Sequence, residues 1–211
     1  MTLEREILHG AAIGVGVADC ADDLDVISRS GVAAALWQRR VDPDWQAWVD
    51  GLAPATLPQL RVILRPDMVR DAAGAACDMA GLDESAARTW LVEDIGMLAD
   101  HFAGLMQARF LRLRLDVIQT DACRRFHIDA VPARLICTYR GTGTQYGVSV
   151  DGEVPHRVFT TPTGVPLVLR GTLWPGDPSS GLLHRSPPIE GRGETRFLLV
   201  LDPLDDPEEA I

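Results

Sequence analysis

Hydrophobic positions recur every three or four residues in the first half of the chain and every two in the second. Trp90, Leu91, Ile95, Leu98, Phe102, Leu105 and Met106 form the longest helical stripe. They predict a helix over 84–107 with Asp83 as its cap, and the stripe must bury against another layer. Asp42-Pro43-Asp44 predicts a second helix start, with Asp42 as N-cap, Pro43 at the first position and Gly51 as the stop. Trp45 and Trp48 share a face of that helix and read as core. A further helix is expected from Pro66 to Met79, ending before Gly81.

After Gln107 the period changes to two. Leu111, Leu113 and Leu115 alternate with Arg112, Arg114 and Asp116, the pattern of a half-buried strand. More strands are expected at 134–140, 145–150, 157–160, 166–173, 181–185 and 195–201, separated by Gly, Pro, Asp and Ser. Short strands at this spacing suggest a sandwich or jelly roll. The fold class read from this order is α+β, with N-terminal helices packed on a C-terminal jelly roll. Residues 1–107 form the mainly helical part, 108–202 the jelly-roll core and 203–211 an acidic tail expected to fray. The helical and β parts are expected to share one core.

Composition narrows the chemistry. The 211 residues carry a net charge of −10, which disfavours a nucleic-acid partner. All 20 basic residues are Arg, and Asn is also missing. Without Lys there is no ordinary P-loop and no pyridoxal-phosphate Schiff base. A GC-rich bacterial genome accounts for both absences. The four cysteines, Cys20, Cys77, Cys123 and Cys137, are widely spaced and read as reduced thiols of a cytoplasmic protein. The apolar run from Ala11 to Ala18 is too short for a membrane span and follows acidic Glu4 and Glu6, so neither export nor a membrane anchor is expected. Oligomeric state is not legible.

The candidate chemistry lies in Cys123-Arg124-Arg125-Phe126-His127-Ile128-Asp129. On extended backbone His127 and Asp129 point the same way and can bind one ion. His184 follows about 55 residues later, in Gly181-Leu182-Leu183-His184-Arg185, and Arg196 stands 12 residues beyond it. Two His and one carboxylate suit non-haem Fe(II), leaving coordination positions open. A basic side chain beyond the distal His suits a dicarboxylate. A second reading uses Cys123, His127, Asp129 and Cys137 or His184 as a mixed site for Zn(II). His9, His101 and His156 read as solvent-facing or boundary residues. Ser186 lacks a nucleophile elbow, so a hydrolase triad is rejected.

The order of strand, His-x-Asp, Tyr-bearing strand, Gly/Thr turn, distal His and Arg-bearing strand resembles the double-stranded β-helix (cupin-like jelly roll) of the Fe(II)/2-oxoglutarate dioxygenases. It is similar to their prolyl-hydroxylase-like branch. The resemblance covers about Phe110 to Asp202. It implies His127, Asp129 and His184 as iron ligands, Arg196 as anchor of 2-oxoglutarate and Tyr139 as a second contact to it. Arg192, in Glu190-Gly191-Arg192-Gly193, competes with Arg196. Leu198 stands where many members of that family have Ser or Thr. Leu135, Cys137 and Tyr139 share one strand face, so all three point inward if Tyr139 does. The chain also resembles a bacterial domain-of-unknown-function family, through Cys123-Arg-Arg-Phe-His-Ile-Asp129 and Arg134-Leu-Ile-Cys-Thr-Tyr-Arg-Gly-Thr-Gly-Thr144. That resemblance implies a link to metal-homeostasis loci, zinc in particular. The expected function is therefore an Fe(II)/2-oxoglutarate-dependent oxygenase of a small molecule or protein side chain. The alternative is a non-enzymatic zinc or divalent-metal-binding protein (sensor, store or chaperone) on the same jelly roll.

Overall fold

The computed structural model describes residues 11–149 and 153–210; His9, Val150 and the acidic residues before His9 lie outside them. Among the described residues ten strands form two sheets. They are β1 (Gly14–Ala18), β2 (Val32–Trp37), β3 (Leu60–Leu64), β4 (Phe110–Ile118), β5 (Ala133–Arg140), β6 (Gln145–Val148), β7 (Phe159–Thr160), β8 (Pro166–Arg170), β9 (Leu182–Arg185) and β10 (Arg196–Leu204). The larger sheet runs β1-β2-β8-β5-β10-β4-β3, and the smaller runs β7-β6-β9. All paired strands are antiparallel except β1 with β2. The mainly helical first half thus supplies three strands of the larger sheet.

Each helix forms close to where the sequence places it. α1 (Pro43–Gly51) begins at Asp42, whose carboxylate accepts from the backbone N–H groups of Asp44 and Trp45. α2 (Val69–Met79) follows a 3-10 turn at Pro66–Met68. α3 (Ala86–Met106) is capped by Ser85, not Asp83; the Ser85 hydroxyl accepts from the N–H of Arg88 at 3.2 Å. Gln107 ends α3 in the left-handed region, φ 51°, which turns the chain into β4.

The larger sheet has two covered faces. On one, Leu111, Leu113 and Leu115 of β4, Leu135, Cys137 and Tyr139 of β5, and Phe197, Leu199 and Leu201 of β10 pack with Leu91, Ile95, Leu98 and Phe102 of α3. On the other, Ile136, Leu167, Leu169, Leu198 and Val200 meet Tyr146 and Leu182 of the smaller sheet. This second face is the interior of the jelly roll. The polar residues of β4, Arg112, Arg114 and Asp116, belong to it by strand parity, so they face the mouth of the jelly roll and not an open solvent face. Among the described residues no helix is long and apolar enough to cross a membrane.

Candidate metal centre

β9 alternates in burial, and its inward residues are Leu182 and His184. His184 lies opposite Tyr146 of β6 on one side. On its other side His127 forms an isolated antiparallel bridge, in which each residue's N–H donates to the other's carbonyl at 3.0 Å. The bridge sets the imidazole centroids 4.6 Å apart. Asp129, two residues on, reaches the same point. Its Oδ2 is 2.9 Å from Nε2 of His184 and its Oδ1 is 3.5 Å from Nε2 of His127. Potential ligand atoms of all three residues lie within 4.8 Å of one another, the single such cluster among the described residues.

The donor set fits a divalent transition ion. Two ligands at about 2.1 Å and right angles stand about 3.0 Å apart, close to these separations. His127 Nδ1 lies 2.8 Å from the carbonyl of Arg125. A carbonyl only accepts, so Nδ1 carries the proton and the Nε2 lone pair of the neutral ring faces the cluster. Oδ2 of Asp129 is buried and has no neighbour among the described residues to pair with other than the His184 ring, so its lone pairs are directed at the same point. Burial lowers the pKa of His184, although Asp129 opposes the effect. Burial would raise the Asp129 carboxyl, but His184, Arg134 and His127 together hold it at about 2.

Two residues that the sequence reading did not single out support the centre. Arg134 of β5 forms an ion pair with Oδ1 of Asp129 and a two-pronged pair with fully buried Asp202 of β10, at 2.6 and 2.9 Å. Asp202 holds the guanidinium, and the guanidinium orients the carboxylate. The available signal was parity, which puts Arg134 on the same face of β5 as Ile136 and Thr138.

The other candidates separate. Arg196 opens β10 on the face of Leu198 and Val200 and is fully buried. Its Nε donates to the carbonyl of Thr142 at 2.6 Å and its Nη2 to the hydroxyl of Thr138 at 3.5 Å, while Nη1 has no partner. It forms no ion pair among the described residues, and burial lowers its pKa to about 10, against the opposing pull of Glu194. Arg192 is exposed in the glycine-flanked turn. Tyr139 departs from the expectation: it lies on the helix side of β5, where its hydroxyl donates to Asp94 of α3 at 2.7 Å. Cys137 shares that side, and Nη2 of Arg39 reaches its sulfur at 3.6 Å, so neither residue faces the ligand cluster. Cys123 stands at the cavity rim outside the cluster.

A cavity of about 310 Å³ opens on the centre. His127 and His184 line it with Ile118, Ile136, Thr144, Leu198 and Val200, and Arg61, Arg114 and Arg134 form a largely basic side that also holds Asp116. Ile118 is the cross-strand partner of Arg196, so the buried guanidinium adjoins the residues of this wall.

Comparison with solved structures shows the double-stranded β-helix. The dioxygenase for auxin oxidation 1 of Arabidopsis thaliana, solved with 2-oxoglutarate, superposes with a TM-score of 0.56 at 10% identity, over 94% of this chain and 97% of that one. The rice dioxygenase for auxin oxidation gives a TM-score of 0.51 at 12% identity, over 93% and 84% of the two chains. No curated protein sequence matches. The sequence does match a family model over residues 18–202, and the chain belongs to the family described as "Protein of unknown function (DUF1826)".

Proposed function

We propose that this protein is an Fe(II)- and 2-oxoglutarate-dependent oxygenase. The observation that carries the reading is the convergence of His127, Asp129 and His184 beside a cavity, on a fold that includes an unpaired buried arginine. Bound there, Fe(II) and 2-oxoglutarate would supply oxidative chemistry with dioxygen that no side chain of the protein can perform. The ligands would be His127 Nε2, Asp129 and His184 Nε2. The Arg125 carbonyl sets the His127 tautomer, and Arg134 keeps the Asp129 carboxylate ionised and directed. Arg196 would hold the carboxylate of 2-oxoglutarate remote from the metal. Its unpartnered Nη1 and the lack of an ion-paired carboxylate among the described residues leave that role open. Ile118, Ile136, Leu198 and Val200 would exclude water from one side of the cavity.

The alternative is a divalent-metal-binding protein with zinc at the same three residues. It leaves Arg196 as a buried, unpaired cation without a task, which is why the oxygenase reading is preferred. Calorimetry on the Arg196→Ala variant tests the choice. The expected result is metal affinity like that of the parent protein, with 2-oxoglutarate binding weakened by about 2–5 kcal/mol. Equal 2-oxoglutarate affinity in both proteins would remove Arg196 from the site.

A further inference from the structure

β3 and β4 carry two arginines in a costly position. Arg61 lies directly opposite Arg114 in the antiparallel register, and both line the cavity at the metal centre. Like charges directly opposed across a strand pair are destabilising. Among the described residues the pair is only partly relieved: Arg114 has long ion pairs and Arg61 has none. The Arg114 side chain is only 19% exposed, and its Nε is buried without a partner. Its nearest carboxylates, Asp202 at 3.7 Å and Asp116 at 3.9 Å, are beyond hydrogen-bond reach. Asp202 is already committed to Arg134. Arg61 forms no ion pair among the described residues. Burial lowers the pKa of Arg114, with Arg134 and Arg61 adding to the effect and Asp202 and Asp116 opposing it. In a chain of net charge −10 this basic wall is a local arrangement and not a reflection of composition. The same sheet face continues from Arg114 into an apolar surface, Val200 and Ile136 in the same cross-strand row with Leu198 beside them.

We infer that Arg61 and Arg114 form an oxyanion subsite for the primary substrate, a small molecule with a carboxylate or phosphate at one end and an apolar body. The anionic end sits between the two guanidinium groups and relieves their repulsion. The apolar body lies over Ile136, Leu198 and Val200 and presents its carbon skeleton to the metal centre. The subsite is separate from Arg196, which is left to the co-substrate. The inference rests on reading His127, Asp129 and His184 as the metal centre.

The test is equilibrium binding of phenylbutyrate, its uncharged amide and phenyl phosphate to the full chain. Each is titrated into metal-free protein and into protein loaded with Mn(II) and 2-oxoglutarate. At least one anion is expected to bind about tenfold or more tighter than the amide in both states. The tighter of the two anions identifies the oxyanion. Arg61→Gln and Arg114→Gln should each remove most of that preference while 2-oxoglutarate affinity stays that of the parent. Arg61 is exposed, so its variant reports on binding without a folding cost. Three results would overturn the inference: equal binding of acid and amide, no binding of either anion at millimolar concentration, or loss of 2-oxoglutarate binding in the variants in place of the anion preference. Failure of the metal-centre reading shows separately, as a parent protein that binds no 2-oxoglutarate with Mn(II), because the anion preference is also read without metal.

Discussion

Replacing His184 with alanine is expected to abolish tight divalent-metal binding and 2-oxoglutarate binding together. His184 supplies one of three converging ligand atoms, and its backbone also pairs with His127. The substitution removes the imidazole and leaves the Asp129 carboxylate facing a void with only Arg134 and His127 beside it. Loss of a ligand should exceed the roughly 10–100-fold cost typical of a residue that merely supports one. Arg134→Gln provides that smaller step, because Arg134 touches Asp129 and not the ligand point. Metal titration by calorimetry, with circular dichroism to verify the fold, measures both. A His184→Ala protein that binds metal like the parent would show that the three side chains do not act as one site.

The second large effect is on stability. Asp94 of α3 is buried and forms a two-pronged ion pair with Arg39, which lies just beyond β2. It also accepts the Tyr139 hydroxyl, and Arg39 reaches Cys137. This network joins the helix layer to the centre of the larger sheet. Asp94→Ala leaves the Arg39 guanidinium, whose side chain is only 9% exposed, without its counter-charge. The expected loss is about 3–5 kcal/mol in urea unfolding, because a buried charge stripped of its partner retains its desolvation cost. Replacing both partners with apolar residues should recover much of it. A loss below about 0.5 kcal/mol, the range of ordinary surface substitutions, would contradict the role assigned to the network.

The Asp94 network also explains what the sequence could not reveal. Parity correctly puts Leu135, Cys137 and Tyr139 on one face of β5, but β5 is central and covered on both sides. Alternation then cannot tell interior from helix layer, and Tyr139 belongs to the helix layer. The same ambiguity hid Arg112, Arg114 and Asp116, whose alternation reads as a solvent face although it opens on the cavity. α3 was legible because a long stripe at helical spacing has few alternatives. β1, β2 and β3 were not, because runs such as Gly14–Ala18 and Val32–Trp37 are short and fit a strand or a buried helix equally well. Of the site, the two His and Asp129 were legible from residue type and order. Arg134 and Asp202 were not, since their link depends on strand register between β5 and β10, which no local pattern reports.

The three ligands and Arg196 together are expected to bind a metal and a 2-oxo dicarboxylate. Anaerobic calorimetry of 2-oxoglutarate binding to the parent protein, metal-free and then loaded with Fe(II) or Mn(II), tests it most directly. The predicted result is binding that requires the metal, since chelation and the Arg196 pair must act together to hold the ligand. The contradicting result is no 2-oxoglutarate binding at millimolar concentration in the loaded protein, alongside tight binding of zinc.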